Sequence, residues 1–137
     1  MAEDLDDLGW KELWIPWLYG VLLVNRKTLK PSTIKAVQKQ IKKKEPICIF
    51  PEGTSVGKGL KPLKNGASYF AVKNKIPIIP VALSGTETIA KNLQKLQRAQ
   101  VKIQFGAPIL PNEGEGAQKI TENINKSLRK MLPNKYL

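Results

Sequence analysis

The sequence predicts an α/β fold, with a mixed or mostly parallel sheet flanked by helices on both sides. Residues 47–50 and 77–83 are short apolar runs typical of buried strands. Residues 101–105 alternate apolar and polar side chains, as a half-buried strand does. Because a chain of 137 residues buries one modest core, residues 10–137 are predicted to form a single domain.

The amino-terminal segment is acidic and then aromatic. Residues 1–9 are predicted to be a mobile acidic lead-in. Trp10, Trp14 and Trp17 follow at i, i+4 and i+7, which places them on one face of a helix over residues 10–19. Residues 13–24 are the longest apolar stretch, but they are too few to cross a bilayer, which takes roughly 20 apolar residues.

The middle of the chain begins with a second amphipathic helix. Pro31 and Ser32 open this helix, its apolar stripe consists of Ile34, Val37 and Ile41, and Pro46 ends it. Cys48 lies in the apolar run that follows, where an inert buried thiol is expected, and a single cysteine excludes an internal disulfide. Residues 51–65 are rich in glycine and lysine, which indicates a loop.

The remaining segments alternate helix and strand. A short helix is predicted over residues 66–73, with Ala67, Phe70 and Ala71 facing inward. After the strand at 77–83, Thr86 or Thr88 is expected to cap a helix that runs to about Gln97. A last amphipathic helix over residues 117–132 carries its apolar residues at helical spacing, namely Ile120, Ile124, Leu128 and Leu132.

The charge indicates an anionic partner. Lys and Arg number 23 against 11 Asp and Glu, and several of the acids lie in the first twelve residues, so the rest of the chain is strongly basic. Such a surface attracts nucleic acid, anionic lipid head groups or phosphorylated metabolites. No signal peptide is predicted at the acidic amino terminus.

The loop over residues 51–65 is the candidate site, because ligands of open α/β sheets bind beyond the carboxyl ends of strands. Gly53 allows a positive φ or a close approach of the backbone, Thr54 and Ser55 supply hydroxyls, and lysines supply charge for a phosphate. A solvated lysine-rich turn is the alternative. The spacing from Gly53 to Lys58 is one residue short of a nucleotide P-loop. Zinc sites and histidine-dependent triads are not expected, since the chain has no histidine.

Several blocks of sequence resemble one enzyme family. Residues 50–54, FPEGT, resemble the signature of the glycerolphosphate and lysophospholipid acyltransferases, which include the 1-acylglycerol-3-phosphate acyltransferases. Residues 60–67, LKPLKNGA, and residues 76–81, IPIIPV, are similar to later blocks of that family, and residues 84–86 are the usual SGT. Residues 11–26 are similar to its second block and contain Arg26.

The resemblance implies roles for individual residues. Arg26 matches the arginine that holds the acceptor's phosphate, and a guanidinium suits that geometry. Glu52, Gly53 and Thr54 match the acceptor-binding loop, and Lys61 and Lys64 are expected to contribute charge beside it. Pro77 and Pro80 match a block associated with the acyl donor, although a structural role in the strand is equally compatible with them. The implied donor is acyl-CoA or acyl carrier protein, with no metal or organic cofactor beyond the carrier of the acyl chain.

Two positions depart from the family pattern. Ser55 stands where the family often has arginine, which leaves the choice of acceptor open. The HxxxxD block, whose histidine is the general base, has no counterpart in a chain without histidine. We therefore predict no catalytic residue of that type here, and expect a chain truncated at its amino-terminal side relative to the family.

The predicted function is that of a cytoplasmic acyltransferase of glycerophospholipid biosynthesis, acting on a lysophospholipid or glycerol phosphate and peripheral on an anionic membrane. Trp10, Trp14 and Trp17 are the expected membrane contact, although three aromatics on a helix face also suit a protein core. The alternative is a non-catalytic module that binds lipid or phosphate. Nucleic-acid binding is not predicted, because no nucleic-acid motif accompanies the basic charge.

Overall fold

The computed structural model describes residues 31–53 and 59–137, without the side chains of Ala90 and Lys91. The chain divides into two compact units, Met1–Ser55 and Val56–Leu137. The acidic lead-in and the predicted helix over residues 10–19 lie outside the described residues. The single domain predicted for residues 10–137 stays a prediction.

The described part of the first unit is dominated by helix α1, Pro31–Lys42. Val37 is buried on its apolar stripe, whereas the lysines of the opposite face, Lys35, Lys39 and Lys42, are exposed. The amide of Lys43 donates to the carbonyl of Lys39, and Lys44 then turns into the left-handed region with φ of 59°. The helix predicted from Pro31 is confirmed, and its end precedes Pro46.

The strand predicted at residues 47–50 is wrong in the described structure. The run has no strand assignment, Phe50 is 73% exposed, and the Cys48 thiol, which was expected to be buried, is exposed. An apolar run favours a strand only where a neighbouring strand supplies backbone partners. Among the described residues, no β-pairing involves this segment.

The second unit contains a two-stranded antiparallel sheet made of β1, Val81–Ser84, and β2, Lys102–Phe105. Val81 pairs with Phe105 and Ser84 with Lys102. The pairing continues through an isolated bridge between Ile78 and Ile109, where both backbone hydrogen bonds are formed at 2.9 and 2.8 Å. Helices beside a sheet agree with the α/β class. The strands described here are antiparallel, and parallel pairing stays a prediction.

β2 lies within the strand predicted over residues 101–105, and β1 coincides only with the end of the strand predicted over residues 77–83. The apolar faces of both strands were predicted wrongly. Val81 and Leu83 of β1 lie opposite Phe105 and Ile103 of β2, and all four side chains are exposed, Phe105 by 73%. Ala82, on the other face, is 4% exposed and belongs to the core. Alternation fixes which residues share a face, whereas the packing partner decides which face is buried.

Three helices accompany the sheet. Helix α2, Gly66–Asn74, buries Phe70 and Ala71 as predicted. A 3₁₀ turn, Thr86–Thr88, leads into helix α3, Ile89–Gln94, which is shorter than the helix predicted to reach Gln97. Helix α4, Ala117–Met131, confirms the last amphipathic segment. No helix in the described ranges has both the length and the apolarity needed to cross a membrane.

The core lies where α4 packs against β1 and α2. Ile120, Ile124 and Leu128 of α4 cluster with Ala82, and Ile120 is fully buried. Leu60 and several other half-buried side chains, namely Leu63, Val72, Ile78, Ile109, Met131 and Leu132, pack against this cluster. Burying such side chains provides about 1.5–3 kcal/mol each. The predicted stripe of α4 therefore stabilises this unit by burying its apolar side chains.

A buried hydroxyl pair fixes α2 against α4. Ser68 Oγ and Thr121 Oγ1 lie 2.7 Å apart, and both residues are buried. Thr121 Oγ1 donates to the carbonyl of Ala117, so the proton between the two hydroxyls comes from Ser68. Buried hydroxyls are costly unless they are paired, so this contact selects one register between the helices.

Candidate functional site

The first candidate segment is the turn formed by residues 50–53. The amide of Gly53 donates to the carbonyl of Phe50 at 3.2 Å, so Pro51 and Glu52 occupy the centre of a β-turn. Gly53 has φ of 63°, in the left-handed region that glycine adopts without steric cost. Pro51, Glu52 and Gly53 are half-buried. The FPEG portion of the signature is thus a turn that requires its glycine.

Two of the predicted site residues lie outside the described residues. Arg26, the expected phosphate ligand, and Thr54, the expected hydroxyl of the loop, belong to segments whose structure is not described. Glu52 and Gly53 belong to the first unit. Their predicted role in binding an acceptor stays a prediction.

The second unit holds the two predicted lysines, on the segment that leads into α2. Leu60 and Leu63 pack against the core and anchor this segment. Between and after them, Lys61 is half-buried and Lys64 is exposed. Asn65 is the N-cap residue of α2, and its carbonyl accepts a hydrogen bond from the amide of Tyr69 at 2.8 Å. The LKPLKN sequence therefore alternates core anchors with cations that border the surface.

A tight turn at residues 84–86 ends β1. Gly85 has φ of 87°, and a Cβ at this position would lie 2.1 Å from the carbonyl oxygen of Gln100. Thr88, one of the two threonines expected to cap α3, is its N-cap residue, but Thr88 Oγ1 donates to the carbonyl of Gly85 at 2.7 Å and accepts no hydrogen bond from the helix. The glycine of the SGT motif is required by both its backbone angle and the neighbouring chain.

The carboxyl-terminal residues close over this turn. The amide of Gly85 donates to Tyr136 Oη at 3.0 Å, and Tyr136 Oη donates to Glu87 Oε1 at 2.5 Å. The amide of Leu60 donates to the carbonyl of Tyr136 at 2.7 Å. Lys135 Nζ lies 3.2 Å from Glu87 Oε1 and 4.5 Å from the centre of the Tyr136 ring. Tyr136 therefore links the SGT turn to the LKPLKN segment.

An open groove of about 390 Å³ lies beside these contacts. Its lining comes from the end of β1, the start of β2 and the carboxyl-terminal segment, namely Ser84, Gly85, Gln100, Val101, Lys102, Pro133, Lys135 and Tyr136. Lys102 and Lys135 give it positive charge. Nothing local in the sequence indicated this cluster, since Tyr136 is separated from Gly85 by 51 positions.

Hydrogen bonding shifts the pKa values of the charged pair. The bond from Tyr136, followed by the backbone of Glu87 and then Lys135, lowers the pKa of Glu87 from 4.5 to about 2. Tyr136 first and Glu87 second raise the pKa of Lys135. Groups that stabilise the ionised form shift a pKa in this direction. Both side chains are therefore ionised over the whole neutral range.

This pair predicts a specific loss of stability in acid. The pKa of Glu87 is lower in the folded chain, so its contribution is complete above pH 4.5 and is lost as the pH falls toward about 2. We expect the melting temperature of the wild type to fall across that window, and that of Glu87→Gln to fall less. Thermal unfolding at a series of pH values measures the difference.

Two tyrosine variants complete the experiment, one as a second test and one as the control. Tyr136→Phe removes the largest cause of the shift and should reduce the acid dependence as Glu87→Gln does. Tyr69→Phe removes the hydroxyl of a tyrosine on α2 and should leave the dependence as in the wild type. Equal slopes for the wild type and Glu87→Gln would contradict the assignment.

Comparison with known proteins places these motifs in a family. The model of the Acyltransferase family matches residues 5–84, more than half of the chain, and includes the FPEGT, LKPLKNGA and IPIIPV segments. This chain belongs to the acyltransferase family. No solved structure matches it significantly.

Curated relatives of this acyltransferase-family chain agree with the assignment. It is 41% identical over 107 residues to the 1-acyl-sn-glycerol-3-phosphate acyltransferases of Salmonella typhimurium and Escherichia coli, over 71% of this chain and 43% of each relative. It is 32% identical over 115 residues to the Bacillus subtilis protein of the same name, over 79% of this chain and 55% of that protein. The alignments therefore span about half or less of each relative.

Proposed function

We propose that this acyltransferase-family chain acts in glycerophospholipid biosynthesis, in the transfer of an acyl chain from acyl-CoA or acyl carrier protein to a lysophospholipid or glycerol phosphate. The observation that carries the proposal is the family match, which runs through the FPEGT and LKPLKNGA segments. Relatives that are 41% identical to this chain over 107 residues are named 1-acyl-sn-glycerol-3-phosphate acyltransferases, and that name states an acceptor with a phosphate.

In this proposal the loop over residues 51–65 binds the acceptor. Gly53, in its left-handed turn, leaves room for a ligand next to the backbone. Lys61 and Lys64 provide positive charge, Glu52 and Thr54 hydrogen-bond to the glycerol, and Arg26 binds the phosphate with two parallel hydrogen bonds. Arg26 differs from the lysines because a guanidinium matches the geometry of a phosphate, whereas an ammonium acts as a point charge.

The transfer step requires a general base, and the residues named above do not include one. The acceptor's hydroxyl oxygen attacks the thioester carbonyl, a C–O bond forms, the C–S bond breaks, and the hydroxyl proton passes to the leaving thiolate through a base. General-base catalysis typically contributes about 10²–10⁴-fold. The 137 residues contain no histidine. We therefore propose that this chain by itself binds the acceptor and donor without efficient turnover.

The phosphate requirement is tested by binding. We expect the purified chain to bind lysophosphatidate more tightly than a monoacylglycerol with the same acyl chain, because only the former carries the phosphate. Arg26→Gln should weaken lysophosphatidate binding roughly 10- to 100-fold, the value of lost charge-assisted hydrogen bonds. Arg129→Gln, an exposed arginine on α4, is the matched control and should bind as the wild type does. Calorimetry with submicellar lipid measures both affinities.

A turnover assay separates this proposal from the alternative of a module that binds lipid or phosphate without any role in transfer. The wild-type chain is mixed with acyl-CoA and lysophosphatidate, with and without a separately expressed HxxxxD segment from a relative. Turnover that appears only when the segment is added supports the acyltransferase proposal. Turnover by the chain alone would contradict the proposed dependence on histidine. Equal binding of lysophosphatidate and monoacylglycerol would contradict the assignment of the loop.

Membrane association belongs to the same proposal. A lysophospholipid acceptor resides at a bilayer surface, and the chain carries a net charge of +12. The spacing of Trp10, Trp14 and Trp17 predicts that they share one face of a helix, and tryptophan favours the membrane interface. We propose a peripheral position at the cytoplasmic face of a membrane, with these three side chains as one contact.

A further inference from the structure

A second surface with membrane-binding chemistry lies on helix α3 and the turn after it. Ile89 and Leu93 are i and i+4 on one face of α3, and Leu93 is 71% exposed. Leu96, in the following turn, is 94% exposed. Large apolar side chains at such exposure are normal when scattered, but three within one short helix and the turn that follows it indicate a binding surface. We call Ile89, Leu93 and Leu96 the leucine knob.

The knob is built into a defined turn. The amide of Leu96 donates to the carbonyl of Leu93 at 3.1 Å, and the amide of Gln97 donates to the carbonyl of Asn92 at 2.8 Å. Asn92 Nδ2 also donates to the carbonyl of Arg98 at 3.1 Å. These bonds hold Leu96 at φ of 53°, a left-handed conformation that is unfavourable for leucine and suits Asn or Gly. A leucine held there and fully exposed has no internal contact that accounts for it.

Basic residues lie next to the knob in the sequence. Residues 88–102 contain four basic residues, Lys91, Lys95, Arg98 and Lys102, and no acidic residue. Lys95 and Arg98 are exposed, and within the described ranges neither forms an ion pair with a carboxylate. The nearest acid in sequence, Glu87, is engaged by Tyr136 and Lys135. The positive charge beside the leucines is therefore not neutralised locally.

Charge distinguishes this surface from the apolar face of the sheet. Val81, Leu83, Ile103 and Phe105 form another exposed apolar patch, and within β1 and β2 the one charged residue, Lys102, pairs with Ser84 on the opposite face. Leucines flanked by lysine and arginine match an anionic lipid surface, where apolar side chains enter the acyl boundary and cations meet the head groups. The sheet patch lacks that second component.

We infer that the leucine knob inserts into an anionic lipid bilayer, with Lys95 and Arg98 on the lipid head groups. The inference rests on the proposed function in that a lipid acceptor requires access to a membrane. It adds a contact in the second unit, separate from Trp10, Trp14 and Trp17. The turn at residues 84–86 precedes α3 directly in the chain, so this contact tethers the end of β1 to the lipid surface.

Vesicle binding tests the apolar part. The double variant Leu93→Asn/Leu96→Asn keeps the turn, because asparagine tolerates the left-handed conformation at position 96. We expect it to lose about tenfold or more of its partitioning onto phosphatidylcholine vesicles that contain phosphatidylglycerol. Leu110→Asn is the control, since Leu110 is another exposed leucine of the second unit, 60% exposed, and it should partition as the wild type does. Co-sedimentation measures partitioning, and thermal unfolding verifies that each variant is folded.

The contribution of Lys95 and Arg98 is tested with a second pair of double variants. Lys95→Gln/Arg98→Gln should weaken binding to the anionic vesicles by about fivefold for each cation, and should not change binding to pure phosphatidylcholine. Lys126→Gln/Lys130→Gln removes two exposed cations from α4 as a control. An equal loss in both double variants would overturn the assignment of charge to the knob and indicate non-specific attraction.

Insertion itself is measured with a fluorophore. Cys48 is exposed, so it is replaced by serine, and a polarity-sensitive dye is attached at Leu96→Cys. A blue shift on anionic vesicles is expected, and no shift at Leu110→Cys. If the Leu93/Leu96 variant instead changes the oligomeric state and binds vesicles normally, the knob pairs two copies and the inference is wrong. Lysophosphatidate binding without vesicles reports on the proposed function independently.

Discussion

Gly85→Ala is expected to destabilise the second unit by roughly 3–5 kcal/mol, a large share of the roughly 5–15 kcal/mol by which a typical domain is stable. Two effects combine at this position. The backbone has φ of 87°, which alanine adopts only with strain. The added Cβ would also lie 2.1 Å from the carbonyl oxygen of Gln100, and a backbone atom cannot rotate away as a side chain does.

Gly114→Ala separates these two effects. Gly114 has φ of 80°, close to that of Gly85, but a Cβ there would have no neighbour within 4 Å. It should therefore show the backbone cost alone, about 1 kcal/mol. Urea denaturation followed by circular dichroism gives the free energy of unfolding for each variant. Similar free energies of unfolding for the two alanine variants would contradict the prediction. They would show that the backbone at Gln100, just before β2, moves aside without cost.

The clash at Gly85 also has a functional consequence. The amide of Gly85 donates a hydrogen bond to Tyr136 Oη, and the carbonyl of Tyr136 accepts one from the amide of Leu60. A displaced turn therefore loosens the segment that carries Lys61 and Lys64. In the proposed function, a variant of Gly85 that remains folded loses affinity for the acceptor's phosphate together with stability.

Ile120→Ala is the second large effect, with an expected cost of about 2–5 kcal/mol. Ile120 is fully buried and belongs to the cluster of Ala82, Ile124 and Leu128. Removing its side chain forfeits the transfer free energy and leaves a cavity in the core, because the surrounding side chains relax only partly into the space. Ile120→Val should cost only about 0.5–1.5 kcal/mol.

Denaturant unfolding of these variants is the measurement. A change in the midpoint with a constant dependence on urea would show lost stability rather than an altered denatured state. Leu110→Ala serves as the exposed control, and surface substitutions of this kind stay within about 0.5 kcal/mol. A cost for Ile120→Ala no larger than that of Leu110→Ala would mean that the core lies elsewhere.

Sequence patterns succeeded where one short-range rule decides the structure. Helices α1, α2 and α4 follow from the spacing of their apolar residues, and their buried residues include Val37, Phe70 and Ile120. Turn chemistry was equally direct, since Gly53 adopts the positive φ that the FPEGT sequence suggested. The family motifs were also readable without a structure, and the family match confirms them.

The errors share a different cause. Cys48 and Phe50 were expected to be buried, and they are exposed. Phe105 and Leu83 were assigned to buried or half-buried strands, and they lie on an exposed sheet face. In each case the apolar side chains were recognised correctly, but hydrophobicity alone does not state whether another element covers them.

By itself the sequence determined the helical faces, the glycine turns, the net positive charge, the absence of histidine and the acyltransferase family, because each depends on residue identity or on neighbours a few positions apart. The tertiary structure alone decided that β1 and β2 pair in antiparallel order, that Ala82 rather than Leu83 faces the core, and that Tyr136 joins Gly85 to Leu60. Those contacts connect residues 18 to 76 positions apart, and chain folding, not local preference, brings such residues together.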